Sequence, residues 1–449
     1  VLDPCMGSGH FLVFALPILV AMRVAEEGLS TEDAVDAVLR DNLHGLEIDS
    51  RCTQIAAFNL ALAAWKMAGY RELPALNLAC CGVAPSASLD EWLSLIEGHP
   101  HDLRVHEVEA VRNGLQNIYE LFSDASTLGT LIDPAMLPSD MFAADSKTLE
   151  PFLDAILSHE EERHDSVELA VAADGMTKAA RLLASEFTLI VTNVPYLGFK
   201  RQDGALREFC ETHYPDSQAG LDTTFLERLV TLGCEAGTIA LVINQTWLFQ
   251  PSSRTLRRKV LSLHAVDFIA RLGSKAFETI TGEVVNVACV GIRNESPPEE
   301  HGMLYIDAQQ EVSPSAKGDA LRRHEAKILN QKSMLANPGS VVTHLQLESR
   351  DLLSDVAISA SGLKTGDRDR FNRCFWEVRL PDSAWEYYQV ASKDTDTEFS
   401  GLHEIIFWER ESGELAQLAE ELKHLNHVVQ NWRRGQVAWN RRGIAVSAT

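Results

Sequence analysis

Short runs of strand-forming residues alternate with longer helical patterns through roughly the first two hundred residues, and this rhythm constrains the fold more than any other feature. Parallel strands joined by helical crossovers produce it, so an open α/β sheet is expected. Residues 187–192 (FTLIVT) and 238–244 read as strands buried on both faces. Further strands are expected at 43–48 and 76–81, and at 266–270 and 284–292 near the edge of the sheet. Residues 11–27 read as a buried helix kinked at Pro17, and Ser30 begins a capping pattern for a helix to Arg40. Asp49 and Ser50 cap a third helix that ends at Gly69, with Ile55, Phe58, Leu62 and Trp65 as its expected sheet-facing side. Residues 85–185, including the acidic run at 160–162, read as a helical insertion, and 221–235 as a helix. The Pro- and Glu-rich stretch 295–302 suits a domain boundary.

Length and charge set further limits. The chain has 449 residues, enough for two or three domains at roughly 150 residues each. With 45% hydrophobic and 23% charged residues it can bury a real core, which excludes a disordered chain or a fibre. A formal charge of -24 opposes a nonspecific coat on nucleic acid and leaves room for a local basic patch. The most apolar stretch, 11–24, falls short of the about 20 residues a bilayer span needs, so no membrane crossing is expected. The eight cysteines show no zinc-type spacing, so no metal is expected and a reduced, cytoplasmic protein is the natural reading. The opening Val-Leu-Asp-Pro leaves too little for a complete first strand and reads as a fragment cut at its N-terminal side.

Three short motifs carry chemistry. Asp3-Pro4-Cys5-Met6-Gly7-Ser8-Gly9 is a glycine-rich turn between a strand end and a helix, where a ligand can approach the backbone; a plain structural turn competes with that reading. Glu47 ends the second strand candidate, where a carboxylate can accept from both hydroxyls of a ribose or simply be solvated. Its distance from Gly9 exceeds the roughly 20 residues of the dinucleotide fingerprint, which argues against NAD. After strand 187–192 come Asn193-Val194-Pro195-Tyr196, an amide, two carbonyls and an aromatic ring at the carboxyl end of a central strand. An Asn oxygen and a neighbouring carbonyl can accept from one exocyclic NH2 while Tyr stacks on the ring that bears it.

In this order the three motifs resemble motifs I, II and IV of S-adenosylmethionine-dependent amino methyltransferases, as arranged in the N6-adenine DNA enzymes. Gly282-Glu283-Val284-Val285 before a strand, and Gly362-Leu363-Lys364-Thr365-Gly366 followed by Phe375-Trp376-Glu377, resemble the large methyltransferases of BREX/Pgl-type phage-defence systems and their type IIG restriction relatives. The resemblance runs from Leu2 to about Gly443. It implies a Rossmann-like methyltransferase sheet over 1–295 with the insertion at about 84–185, a linker or helical connector over 296–360, and the start of an α+β DNA target-recognition region over 361–449.

The same resemblance implies S-adenosylmethionine as cofactor, with Asp3, Pro4, Gly7 and Gly9 around its methionine end, Glu47 on its ribose and Ile48 on its adenine. Asn193, Val194, Pro195 and Tyr196 would hold N6 of a flipped adenine, which implies double-stranded DNA as partner and other phage-defence proteins as companions. Val194 departs from the family's Asn-Pro-Pro-Tyr; it keeps the accepting carbonyl and loses the φ restraint of proline. No acidic residue follows the third strand to meet the cofactor's adenine amino group. A DNA grip is expected from Lys364, Arg368, Arg370, Arg373, Arg433, Arg434, Arg441 and Arg442 with Trp376, Trp385, Trp408, Trp432 and Trp439, and from Arg254, Arg257, Arg258 and Lys259 beside the flipped base; solvated faces and core packing are the competing readings. Methylation of cytosine N4 or protein glutamine, and a non-catalytic DNA-binding subunit, remain open.

Overall fold

A computed structural model describes all residues except 99–107, 137–148, 150, 154–156, 158–163, 278–284, 324–325, 346–352, 380–383, 391–400, 410–411, 426–427, 440 and 445–449. The acidic run 160–162 and residues 282–284 of the Gly-Glu-Val-Val motif therefore lie outside the described residues. The chain forms two units, Val1–Gln346 and Leu347–Thr449.

The first unit is built on one sheet. Its strands are β1 (Leu2–Asp3), β2 (His44–Glu47), β3 (Asn77–Cys80), β4 (Phe187–Asn193), β5 (Gly233–Asn244), β6 (Ala265–Gly273), β7 (Val287–Arg293), β8 (Gly302–Asp307) and β9 (Lys327–Asn330), in the order β3-β2-β1-β4-β5-β7-β6-β8-β9. The first five in that order run parallel, and β7 is antiparallel to both neighbours. Every strand anticipated from the sequence forms. Two expectations change, however, because β8 pairs with β6 and β9 with β8. β6 and β7 lie inside the sheet rather than near its edge, and part of the expected connector over 296–360 is sheet. The Pro-rich stretch at 295–302 is a turn between two strands of one unit, and prolines punctuate a chain there as readily as at a boundary.

The direction of strand succession reverses between β1 and β4, which sit side by side (Leu2 opposite Ile190). Crevices at the carboxyl ends of strands at such a reversal are where open α/β sheets take ligands.

Three helices flank this point. α1 (His10–Glu27) starts at Gly9, α2 (Thr31–Asp41) is capped by Ser30, whose side chain accepts from Asp33 N, and α3 (Ser50–Ala68) is capped by Asp49 and ended by Gly69. Leu12, Leu16 and Val20 of α1 pack with Val35, Val38, Leu39, Ala56, Leu60 and Ala64. α1 is thus not buried all round: Phe14 and Ile18 are 70% and 63% exposed. The buried side of α3 is Ala56, Leu60 and Ala64, whereas the expected Ile55 and Phe58 face outward. Close approach is the cause, since a Cβ on Gly9 would lie 3.0 Å from that of Ala56 and only small residues fit between the helices.

Within the insertion, α4 (Leu89–Gly98), α5 (Val108–Leu121) and α6 (His164–Leu183) bury Trp92, Leu115, Ile118 and Met176 in the core of the sheet. Next come α7 (Gly204–His213), α8 (Leu221–Leu232), α9 (Arg254–Leu263), α10 (Pro314–Arg322) and α11 (Gln331–Ala336). α8 is shorter than expected because β5 begins at Gly233. Among the described residues no helix is long and apolar enough to cross a membrane.

The second unit is α+β as expected. β10 (Asn372–Cys374), β12 (Glu404–Phe407) and β11 (Trp385–Tyr388) form an antiparallel sheet in that order, and α12 (Glu414–Glu421) packs with Phe371, Val429 and Trp432. The rings of Trp408, Trp432 and Trp439 touch one another, with centroids 4.9 to 6.1 Å apart, so these three tryptophans are mutual packing.

One expected DNA contact is a structural tie. Arg257 is buried and donates to the carbonyls of Trp247, Gln250, Gly339 and Ser340, fastening α9 to the turn after α11. Burial, with Arg254 nearby, pushes its pKa down to about 10. Its neighbour Lys259 pairs with Glu227. Arg257→Met strands these carbonyls and should cost on the order of 3 kcal/mol; urea unfolding measures it, and a loss below about 0.5 kcal/mol would contradict the tie.

Candidate functional site

Two loops leave the sheet side by side at the reversal. The first follows β1, and Gly7 and Gly9 take positive φ in it (53° and 81°), conformations that favour glycine. A Cβ on Gly7 would meet nothing within 4 Å, so the backbone there is open to a ligand. Glu47, at the end of β2, closes the loop from behind. Its Oε2 accepts from Gly7 N at 2.7 Å, and its Oε1 from Ile48 N at 2.9 Å and Asp49 N at 3.0 Å. A carboxylate has about four acceptor positions, so one is left, on Oε2. That position is where a ribose hydroxyl could donate. Ile48 is 44% exposed, an apolar surface beside that position.

Asp3 is 1% exposed. Its Oδ1 accepts from Cys5 N at 3.2 Å, and its Oδ2 has no partner among the described residues. Burial pushes its pKa up to about 7, against the lowering effect of the nearby Thr192 hydroxyl and the Cys5 N–H and with a small further rise from the Glu47 charge. An unpartnered buried carboxylate oxygen is costly, and a cationic donor would relieve it. S-adenosylmethionine carries an ammonium, ribose hydroxyls and a purine, so its parts fit Asp3 Oδ2, Glu47 Oε2, the open Gly7 backbone and Ile48. His10, beside this loop, is exposed and lies 3.0 Å from Ser8 Oγ through Nδ1.

The second loop follows β4. Asn193 is exposed, and its Oδ1 accepts from the Tyr196 hydroxyl at 2.6 Å, so one of its two acceptor positions is in use. Burial pushes the Tyr196 phenol up and keeps it a donor. Val194 is buried, and its N–H donates to Val242 O at 3.4 Å, a bond proline could not make. That contact offsets part of the lost φ restraint. Pro195 is exposed. In front of Tyr196 lies a cavity of about 920 Å³ lined also by Phe199, Lys200, Asp222, Asn244 and Gln250. Asp222, at the start of α8, is 8% exposed, and burial pushes its pKa up to about 6. The sequence gives no signal for Asp222, which reaches the cavity from a segment remote from the motif.

In the second unit, Lys364, Arg441 and Arg442 are exposed, and the Arg433 guanidinium lies 4.6 Å from the Trp432 ring centroid. The Arg434 side chain lies outside the described residues. Arg368 pairs with the buried Glu404, whose other oxygen accepts from Asn372, while its own side chain stays 74% exposed. Arg370 pairs with Glu414 at 2.8 Å, and Arg373 donates to the carbonyls of Asp369 and Asn372.

Strand order and paired loops define a Rossmann-like methyltransferase fold. The profile of the Eco57I restriction-modification methylase family matches residues 41–277, more than half of the chain, and the chain belongs to that family. It is 29% identical over 401 residues to the adenine-specific methyltransferase PglX of Lacticaseibacillus casei (strain Zhang), covering 84% of this chain and 32% of that protein. It is 30% identical over 311 residues to the adenine-specific methyltransferase BrxX of Escherichia coli O9:H4 (strain HS), covering 66% of this chain and 25% of that protein. The chain therefore spans a third or less of the length of these relatives. Among solved structures, the Type IIL restriction-modification enzyme MmeI in complex with DNA aligns with a TM-score of 0.48 at 11% identity, over 97% of this chain and 50% of that one.

The carboxyl of Asp3 holds its proton in the folded protein to about pH 7, whereas the unfolded chain releases it near 4. The ligand-free protein should lose stability as pH rises from about 4 to 7, by up to roughly 4 kcal/mol. Asp3→Asn should remove most of that slope in urea unfolding at pH 5 and 8, and an unchanged slope would contradict the assignment.

Proposed function

We propose that this chain carries the methyltransferase of an adenine-specific DNA enzyme, transferring a methyl group from S-adenosylmethionine to N6 of a flipped adenine in a phage-defence or restriction-modification system. The observation that carries this reading is the adjacency of two chemistries at one strand reversal: an unpartnered buried carboxylate oxygen on the β1 side, and an amide acceptor on the β4 side. Membership of a restriction-modification methylase family supports DNA as the substrate, and the adenine-specific relatives support the base.

The cofactor, when bound, supplies an electrophilic sulfonium methyl. Asp3 Oδ2 would accept from its ammonium, Glu47 Oε2 from one ribose hydroxyl, and Ile48 would cover its purine. Asn193 Oδ1, with its second acceptor position, and the Val194 carbonyl would accept from the two N6 hydrogens of the target. That pair of bonds draws the nitrogen lone pair out of the ring and aims it, so the chain acts by positioning and electrostatics, and the proton leaves after attack. Tyr196, fixed by its bond to Asn193, presents its ring to the cavity in which the extruded base would stack. The second unit is proposed as the start of the target-recognition domain, with Lys364, Arg368, Arg433, Arg434, Arg441 and Arg442 on phosphate or base edges.

Asn193→Ala should lower tritiated methyl transfer to unmethylated DNA by at least about a hundredfold while cofactor affinity stays within a few fold. Nucleoside analysis of the wild-type product should give N6-methyladenine. Full transfer by the variant would refute the acceptor assignment, and N4-methylcytosine or methylated protein would refute the substrate.

A further inference from the structure

Residues from outside the sheet pack against Ile48, the side chain proposed to cover the cofactor's purine. Residues 129–133 belong to the helical insertion, yet they touch all three loops that leave β1, β2 and β3. Thr130 Oγ1 donates to the carbonyl of Pro4 at 2.6 Å, with both residues buried. The Cys81 thiol, after β3, lies 3.5 Å from the same hydroxyl and 3.4 Å from the Glu47 carbonyl. Gly129, at φ 51°, backs onto Ile48: a Cβ there would stand 3.1 Å from Ile48 Cδ1. Gly82 approaches the same side chain so closely that a Cβ would lie 2.6 Å from Ile48 Cγ1. Ile48 is thus held between two glycines and still presents 44% of its surface.

The turn is anchored from the far side. Arg228, 2% exposed, donates to the carbonyls of Thr130 (3.3 Å), Ile132 (2.9 Å) and Leu183 (3.2 Å) and pairs with Asp133 at 3.0 Å. A buried guanidinium engaged with three carbonyls and a carboxylate fixes a turn more firmly than its short helical hydrogen bonds would. Arg228 also belongs to α8, whose first turn carries Asp222 into the cavity before Tyr196. The turn, the glycine loop and the Asn193 side are therefore held to one frame.

We infer that the turn 129–132 is part of the cofactor site, and that Thr130 is a positioning residue whose hydroxyl fixes Pro4, and through it the glycine loop, while Gly129 sets the Ile48 surface on which the purine rests. This rests on the S-adenosylmethionine reading above and adds a wall that the loop after β3, lacking an acidic residue, does not provide. Thr130→Val keeps the shape and strands the Pro4 carbonyl.

Calorimetry with S-adenosylhomocysteine on the full chain tests the inference. Affinity should fall by about tenfold in Thr130→Val and return in Thr130→Ser, which keeps the hydroxyl. Transfer assays should then show a raised KM for S-adenosylmethionine with kcat and DNA affinity little changed. Equal affinity in Thr130→Val, or loss in both variants, overturns the positioning role. Hydrogen exchange on the wild type decides the matter without a variant, should Thr130→Val fail to fold: S-adenosylhomocysteine should protect the amides of 129–132 together with those of 5–9, and protection confined to 5–9 overturns the inference. A wild type that binds no S-adenosylhomocysteine removes the cofactor reading and this inference together, an outcome distinct from a binding wild type with an unaffected variant.

Discussion

Everything at the top of this sheet depends on where one carboxylate is fixed. Glu47 accepts from Gly7 N in the loop after β1 and from Ile48 N and Asp49 N in its own loop. Backbone donors that would otherwise face a crevice without partners are thereby satisfied, and two loops from neighbouring parallel strands become one rigid lip. Asp49 then caps α3, and the small Ala56 of α3 lets Gly9 turn α1 away from the sheet. The geometry of the lip is thus set by short-range hydrogen bonds and one close helix contact.

The electrostatics follow from the same packing. Asp3 and Glu47 are both buried, and burial pushes the nearby Cys5 and Cys81 thiols up, with Asp3 and Glu47 adding to the rise at Cys5 and Glu47 adding at Cys81, which reaches about 12. Neither thiol is then a nucleophile at neutral pH. An acidic crevice with protonated thiols and an unpartnered carboxylate oxygen is suited to a cationic ligand. A sulfonium that also bears an ammonium meets that requirement, and the neutral acceptors on the Asn193 side are suited to an amino group that becomes acidic only after it has reacted.

The strands and the motif loops were legible in the sequence because they are local: FTLIVT, Asp49 with Gly69, and the Asp3 to Gly9 turn each carry their own signal. Long-range packing was not. The large residues of α3 have the right period and the wrong side, because contact with α1 selects alanines. Arg257 looks like a DNA contact in the sequence, but it is buried and two of its partners, the carbonyls of Gly339 and Ser340, lie 82 and 83 residues away. Thr130, Gly129 and Asp222 reach the site from segments whose local sequence says nothing of it. The extension of the sheet by β8 and β9 was hidden by a Pro-rich turn that reads equally well as a boundary.

A crystal structure of the protein with S-adenosylhomocysteine tests the central claim most directly. The account predicts the ligand ammonium within about 3 Å of Asp3 Oδ2, a ribose hydroxyl on Glu47 Oε2, and the sulfur turned toward Asn193. A ligand bound elsewhere, with that Asp3 oxygen still unpartnered, would contradict it.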